Sequence, residues 1–284
     1  MVAATTDIPR TELIYRHALL VRLTHWVNAL CLLILLLSGL QIFNAHPTLY
    51  LGSKSEPSAA ILSMDAVQRD NGSYAGVTTI GSHSFDTTGV FGLSTGPSGR
   101  LEARGFPDWI TIPSYRDLAT GRRWHFFFAW LLVFNGLAYL IYAFFSGHVR
   151  RDLAPTKSEF RTIGHSISEH ARFHFPKGEE AKRYNVLQKL AYLAVIFGLL
   201  PLVFLTGLTM SPGMDAAFPA LLDIFGGRQS ARTIHFLCAL GLTLFFIVHI
   251  VMVFASGAFN NIRSMITGRY AITPDDQPSR GEAA

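Results

Sequence analysis

Long apolar runs alternate with polar segments along this chain. Four of the runs carry almost no charge, and they cover about 24–43, 124–146, 187–210 and 232–256. An apolar α-helix of about 20 residues crosses the hydrocarbon core of a bilayer, whereas an open strand would leave backbone groups unpaired in lipid. The pattern therefore predicts an all-α membrane protein, a four-transmembrane-helix bundle that forms one integral-membrane domain over 1–284.

Polar segments of very different lengths separate these runs. The 44–123 segment is rich in Gly, Ser and Thr without a helical period, allows some short strands, and ends in an aromatic, Arg-containing stretch. The 147–186 segment and both termini are rich in basic residues, whereas the segment between the third and fourth runs contains a single basic residue, Arg228. Basic residues accumulate on the cytoplasmic side of membrane helices. We therefore expect a multi-pass protein with cytoplasmic termini, a cytoplasmic 147–186 loop and a long extracytoplasmic first loop.

Composition supports the membrane assignment and narrows the chemistry. Of the 284 residues, 50% are hydrophobic and 15% are charged, whereas soluble domains carry about 25% charged residues. The net charge of +5 comes from basic residues beside the apolar runs, so lipid headgroups explain it and no nucleic-acid partner is expected. Cys31 and Cys238 both lie inside predicted spans, and no Cys-x-x-Cys-His run is present. Covalent attachment of a c-type haem is therefore excluded.

Four histidines lie near the ends of the predicted helices. His235 and His249 are 14 residues apart in the fourth run. This is close to four helical turns, so both imidazoles point to one side of the helix, about 21 Å apart along its axis. His25 and His125 lie at the starts of the first and second runs. With the predicted orientation, His25 and His249 share the cytoplasmic depth, and His125 and His235 share the outer depth.

Matched pairs of histidines at membrane depth indicate haem ligation. Ionisable groups at this depth are costly and mark functional sites. We predict that His25 and His249 are the axial ligands of an inner haem, and that His125 and His235 are those of an outer haem. Because two histidines fill both axial positions of the iron, such haems transfer electrons rather than bind substrate. The predicted cofactors are two haem b groups, and an interfacial role is the alternative for any single histidine.

Residues near the histidines suggest further haem contacts. Arg22, Arg123 and Arg232 each lie within three residues of a proposed ligand. They could bind haem propionates, because arginine grips carboxylates with two parallel hydrogen bonds, or they could extend to lipid headgroups. Gly39 lies 14 residues after His25, at the level of the outer haem. It could let the porphyrin approach the helix, although close helix packing explains it equally well.

The histidine motifs resemble those of a known family. RLTHW, RRWHF and YNVLQKLAYL precede or open the first three runs, and His-x13-His occurs in the fourth. Together they resemble the dihaem cytochrome b subunits of Ni/Fe-hydrogenases and formate dehydrogenase-N, within the cytochrome b561-like group. The resemblance implies the same ligand pairing and an electron-transfer subunit in the bacterial inner membrane. It also implies that this subunit anchors a periplasmic oxidoreductase and exchanges electrons with the quinone pool.

The same resemblance places a quinone near the inner haem. The residues that match this position are Tyr184, Gln188 and Lys189, with Asn185, Arg22 and Asn28 nearby.

The long first loop departs from the hydrogenase subunits, whose outer connection is shorter. The stretch PDWITIPSYRDLATGRRWHFFFAW looks more like cytochromes b that serve periplasmic molybdopterin oxidoreductases of the sulfite-oxidase type, so this partner is preferred to a hydrogenase. One alternative is a stand-alone quinol-oxidising cytochrome b561 with a small diffusible acceptor. Another is a non-redox transporter or scaffold, which should have polar groups or helix breaks near the midplane. Asn135 and Pro201 would fit that last alternative.

Overall fold

Four long apolar helices are present, as the hydrophobic pattern predicts. A computed structural model describes residues 12–161, 163–164, 166–167 and 185–272. Its candidate membrane spans are Leu19–Phe43, Leu118–Phe145, Val186–Thr209 and Arg228–Ala255. The spans start five, six, one and four residues before the predicted positions. Hydropathy marks only the part of a helix that lies in hydrocarbon, whereas the helix itself continues through polar residues at its end.

Polar contacts define where the second and fourth spans begin. The Asp117 carboxylate accepts a hydrogen bond from the Thr120 amide at 3.0 Å, and this bond lowers the pKa of Asp117. At the fourth span, the Gly52 carbonyl accepts from the amides of Gln229 and Ser230 at 3.0 and 3.1 Å. The first amides of a helix have no partner within the helix, so such acceptors stabilise its start.

The third span contains a wide turn beside its proline. Val195–Leu199 is π-helical, and regular helix resumes at Leu200–Thr209, with Pro201 in its first turn. Proline has no backbone N–H and cannot make the usual bond to the carbonyl four residues earlier. A single π turn accommodates this loss while the helix continues. Pro201 is thus a local irregularity within a continuous span.

The first loop is folded around strands, which corrects the all-α description. The protein is mostly helical, but six of its strands lie between the first two spans. A four-stranded antiparallel sheet has the order β2-β3-β4-β5, and β6 pairs with β7. These strands are β2 (Thr48–Leu49), β3 (Leu62–Gln68), β4 (Tyr74–Ile80), β5 (His83–Asp86), β6 (Gly92–Thr95) and β7 (Leu101–Arg104). Their short length and frequent Gly turns hide them from a search for helical periodicity.

A hydrophobic core joins the first loop to the spans. Phe43, Met64 and Phe106 are buried together, and Phe236 of the fourth span packs against them. The ring centres of Phe43 and Phe236 are 4.9 Å apart. The side chain of Asn44 reinforces this core. Its Nδ2 donates to the Phe106 carbonyl at 3.1 Å, and its Oδ1 accepts from the Phe106 backbone N–H at 2.6 Å. The loop is therefore anchored by packing as well as by its two chain connections.

The segment before the first span pairs with the segment after the fourth span. Strand β1 (Glu12–Tyr15) runs antiparallel to β8 (Arg269–Ile272), with Glu12 opposite Ile272. A short helix, Ala258–Thr267, precedes β8.

The described residues form two compact units, each with part of all four spans. One unit is 27–135 with 198–243, and the other is the described part of 1–26, 136–197 and 244–284. The single domain, the membrane orientation and the loop's extracytoplasmic side stay predictions.

Candidate functional site

The four predicted histidines come together in the two predicted pairs. The ring centres of His125 and His235 are 6.2 Å apart, with planes inclined at 58°. The ring centres of His25 and His249 are also 6.2 Å apart, with planes inclined at 66°. All four side chains are half-buried. Residues that are far apart in sequence thus form two similar sites within the spans.

Both spacings fit one iron ion held between two imidazoles. A metal–imidazole bond is about 2 Å long, and the ligating nitrogen lies roughly 1 Å from the ring centre. Two axial ligands on opposite sides of a metal therefore have ring centres about 6 Å apart. A shorter distance would leave no room for the ion, and a much longer one would prevent shared ligation. The residues present fit a haem with two histidine ligands at each site.

A hydrogen bond orients the His125 ring. Its Nδ1 lies 3.1 Å from the Ser38 hydroxyl. The Ser38 hydroxyl is 2.6 Å from the Ile34 carbonyl and donates to it, so its oxygen is available to accept from Nδ1. A proton on Nδ1 leaves the Nε2 lone pair free to bind a metal.

The His235 ring has an equivalent environment. Its Nδ1 lies 2.9 Å from the Val203 carbonyl and 3.3 Å from the Thr206 hydroxyl. That hydroxyl donates to the Leu202 carbonyl at 2.7 Å. Two acceptors around Nδ1 require a proton there, so Nε2 is again the metal-binding nitrogen.

Aromatic contacts surround the other pair. Phe245 stacks on His249 with ring centres 6.1 Å apart and planes inclined at 15°. Trp26 packs edge-on to His25 at 5.4 Å, and its indole N–H donates to the Met265 carbonyl at 3.0 Å. These contacts restrict the rotation of both rings.

Comparison with known proteins identifies the family of the chain. The family described as prokaryotic cytochrome b561 matches residues 16–268. The chain belongs to the prokaryotic cytochrome b561 family. It is therefore an integral membrane cytochrome b that transfers electrons and binds b-type haem. The candidate protein-methionine-sulfoxide reductase subunit YedZ1 of Azospira oryzae is 33% identical over 147 residues, which are 52% of this chain and 70% of YedZ1. No solved structure matches the chain.

Gly39 was predicted to let the porphyrin approach the first span, but it lies against the imidazole ring of His125. A Cβ at Gly39 would lie 3.3 Å from Cε1 of His125, so this glycine admits the ligand ring itself. Gly207 has the same relation to His235, also at 3.3 Å. Ser38, Thr206 and Gly207 were not among the residues predicted from the sequence. Their signal was a Leu-Ser-Gly-Leu run in the first span of this cytochrome and a Leu-Thr-Gly-Leu run in the third.

The three predicted propionate partners have different environments. Arg232 donates to the carbonyls of Thr48 and His46, so it ties the first loop to the fourth span of the cytochrome. Arg22 donates to the Ile266 carbonyl, while its buried Nε has no hydrogen-bond partner among the described residues. Arg123 is exposed. A propionate role stays a prediction for all three and fits Arg22 best.

The predicted quinone residues are engaged in local structure where they can be described. Tyr184 lies outside the described residues. Gln188 belongs to a capping box in which its side chain accepts from the Asn185 amide at 3.2 Å. Lys189 is 7% exposed and donates to the Glu159 carboxylate at 2.8 Å. A quinone that binds Gln188 or Lys189 would have to compete with the Asn185 amide or the Glu159 carboxylate for these side chains.

The interior polar residue that suggested a transporter also has a structural partner. The Asn135 amide donates to the Asn28 side chain at 2.7 Å. This bond links the second span to the first, a common use of polar side chains between membrane helices.

The ion pair of Lys189 yields a stability prediction. Burial raises the pKa of Glu159, but hydrogen bonds from Lys189 and Thr156 outweigh it and hold that pKa below its usual value. A lowered pKa means that the pair stabilises the cytochrome above the ordinary pKa of glutamic acid, and that the gain is lost as the pH falls through the lowered value. We expect Glu159→Gln to reduce stability by about 1–3 kcal/mol at pH 7, since it leaves Lys189 buried without a counter-charge.

Thermal unfolding in detergent at several pH values checks this effect. The difference in Tm between wild type and Glu159→Gln should shrink as the solution is acidified. An equal difference at all pH values would contradict the ionic contribution. Lys157→Met is the control, because Lys157 lies on the same short helix and is exposed.

Proposed function

We propose that this cytochrome holds two b-type haems and transfers electrons between a periplasmic oxidoreductase and the quinone pool of the bacterial inner membrane. The observation that carries the proposal is the 6.2 Å spacing found in both histidine pairs. When bound there, a haem with two histidine ligands supplies reversible one-electron transfer. The chain contributes four ligands, apolar surroundings and fixed ring orientations.

The fourth span supports an electron path across the membrane. His235 and His249 lie on the continuous helix Arg228–Ala255. Their 14-residue separation corresponds to about 21 Å along the axis. Ligands at two depths on one helix suit two haems that exchange electrons, because porphyrins extend well beyond their iron ions.

The folded first loop supports a protein partner on its side of the membrane. Trp109 and Tyr115 follow strand β7, and they are 76% and 56% exposed. Exposed aromatic residues are frequent in protein interfaces. YedZ1 carries the name of a methionine-sulfoxide reductase subunit. We infer a periplasmic partner of the molybdopterin type, in preference to a hydrogenase, with this loop in the periplasm and both termini in the cytoplasm.

The His25/His249 side is the proposed place of quinone exchange. It carries basic residues, including Arg150 and Arg151, that favour the cytoplasmic side. The buried Nε of Arg22, which has no hydrogen-bond partner in the described part of the chain, offers a hydrogen-bond donor near His25. Gln188 and Lys189 remain candidates only if a quinone competes with their present partners, and Tyr184 remains a candidate from the resemblance alone.

Haem content of the full-length chain tests the central proposal. We expect two b-type haems per chain by pyridine haemochromogen assay of protein purified in detergent after expression with ample haem. One haem per chain would show that one of the two histidine pairs does not hold a haem, and no haem would overturn both proposed sites. Rapid reduction of the haems by quinol, followed by oxidation with the purified partner, would support the complete electron path. Rapid oxidation by a small acceptor alone would favour a stand-alone quinol oxidase.

A further inference from the structure

The first and third spans contain the same four-residue pattern at the same kind of site. Leu37–Leu40 reads Leu-Ser-Gly-Leu, and Leu205–Leu208 reads Leu-Thr-Gly-Leu. In each run the hydroxyl residue contacts Nδ1 of a proposed haem ligand, and the following glycine faces the same imidazole. We call each hydroxyl–glycine pair, Ser38-Gly39 and Thr206-Gly207, a cradle.

The two cradles agree in geometry as well as in sequence. A Cβ on either glycine would lie 3.3 Å from Cε1 and 3.6 Å from Nδ1 of its histidine. Both hydroxyl side chains are fully buried. Each hydroxyl donates back to the carbonyl four residues earlier, at 2.6 Å for Ser38 and 2.7 Å for Thr206. Such a bond uses the only hydroxyl proton, so each oxygen faces its imidazole as an acceptor.

The cradles occur at only one of the two histidine pairs. Among the described residues, neither His25 nor His249 has a hydrogen bond from its ring to a hydroxyl or a backbone carbonyl. Their ring contacts include Trp26 at His25 and Phe245 at His249. The two proposed haems therefore have ligands of the same type in different electrostatic surroundings.

This difference has an electronic consequence. A hydrogen bond from Nδ1–H to an oxygen acceptor increases the basicity of the ligating imidazole. A more basic ligand donates more electron density to the iron, which favours the ferric over the ferrous state. Removing an acceptor should therefore raise the midpoint potential of that haem alone.

We propose that the Ser38-Gly39 and Thr206-Gly207 cradles are positioning elements that fix the Nδ1-protonated form of His125 and, together with the Val203 carbonyl, of His235, and that they lower the midpoint potential of the haem these ligands hold. This inference rests on the proposed haem sites. Because both ligands of one haem are cradled and neither ligand of the other is, the cradles set a difference in potential between two otherwise similar haems.

Redox titration of the purified cytochrome tests the hydroxyl groups. Ser38→Ala and Thr206→Val, a near-isosteric change, should each retain two haems and shift one of the two midpoint potentials upward. Thr206→Ser should return the potential to that of the wild type, because it restores the hydroxyl. An unchanged pair of potentials in both variants would overturn the proposal. Haem loss in Thr206→Val that Thr206→Ser does not restore would overturn it as well.

Single-haem backgrounds identify which haem responds. In a His249→Ala background the remaining haem should still shift with Thr206→Val, whereas in a His235→Ala background it should not. A shift of the His25/His249 haem would contradict the proposed cradles. If the wild type itself contained no haem, the proposed function would fail. If the variants kept two haems and neither midpoint potential shifted selectively, the proposed function would stand and the proposed role of the cradles would be wrong.

The glycines are tested by a spectroscopic signature of ligand orientation. Gly39→Ala and Gly207→Ala should alter the low-spin ferric EPR signal of one haem, because the added Cβ pushes the imidazole by a few tenths of an ångström. Gly136→Ala is the matched control, since no atom lies within 4 Å of its added Cβ. Unchanged EPR signals in both cradle variants would overturn the role of the glycines.

Discussion

Replacing His249 with Ala is expected to leave one haem per chain, against the two proposed for the wild type. The remaining haem should be the one between His125 and His235, because that pair has its own ligands and its own hydrogen bonds. His235→Ala should give the reciprocal result and leave the His25/His249 haem. Because such a haem is not covalently attached, loss of one of its two protein ligands should weaken its retention during purification.

The measurement combines haem stoichiometry with the reduced-minus-oxidised spectrum of each variant. His249→Ala should also lose rapid reduction by quinol, if quinone exchanges electrons at the His25/His249 side. His83→Ala is the control, because His83 lies exposed on strand β5 of the first loop. Retention of two haems in either ligand variant would contradict the pairing. Loss of both haems from a folded single variant would show that the two sites do not bind independently.

Replacing Arg104 with Met is expected to destabilise the first loop strongly while both haems remain bound. The Arg104 side chain is fully buried. Its guanidinium donates to the Phe106 carbonyl at 2.8 Å, and to the Thr111 hydroxyl and the Ser114 carbonyl at 3.0 Å each. Burial lowers the pKa of Arg104, and the carboxylate of Glu102 opposes this effect. The substitution removes these three charge-assisted hydrogen bonds and leaves the Thr111 hydroxyl and the Ser114 carbonyl without this donor, which should cost about 3–5 kcal/mol.

Limited proteolysis and thermal unfolding measure this loss. The variant should be cut within the 105–117 segment at protease concentrations that leave the wild type intact, and its electron exchange with the proposed periplasmic partner should fall. Arg100→Met is the control, since Arg100 lies exposed in the turn before β7. Equal protease resistance of Arg104→Met and wild type would contradict a structural role. Haem loss in Arg104→Met would show that the loop supports the haem sites directly.

The amino-acid sequence by itself determined the spans and the histidine pairs. Both depend on local quantities: the length of an apolar run fixes whether a helix can cross a bilayer, and the helical repeat fixes the direction of His235 relative to His249. The distribution of basic residues then predicted, by depth, the same pairs of histidines whose rings lie 6.2 Å apart in the fold. None of these steps required knowledge of which side chains touch.

Other features depended on contacts between distant residues, and only the tertiary structure decided them. The six strands of the first loop are short, so their alternation is too brief to distinguish from irregular sequence until they pair. Gln188 and Lys189 looked available for a quinone, yet one caps a helix and the other pairs with Glu159, 30 residues away. Ser38 bonds to His125 across 87 residues, and Thr206 bonds to His235 across 29. A hydrogen bond forms only when a donor and an acceptor meet at short distance, and the packing of the spans alone determines which of them do.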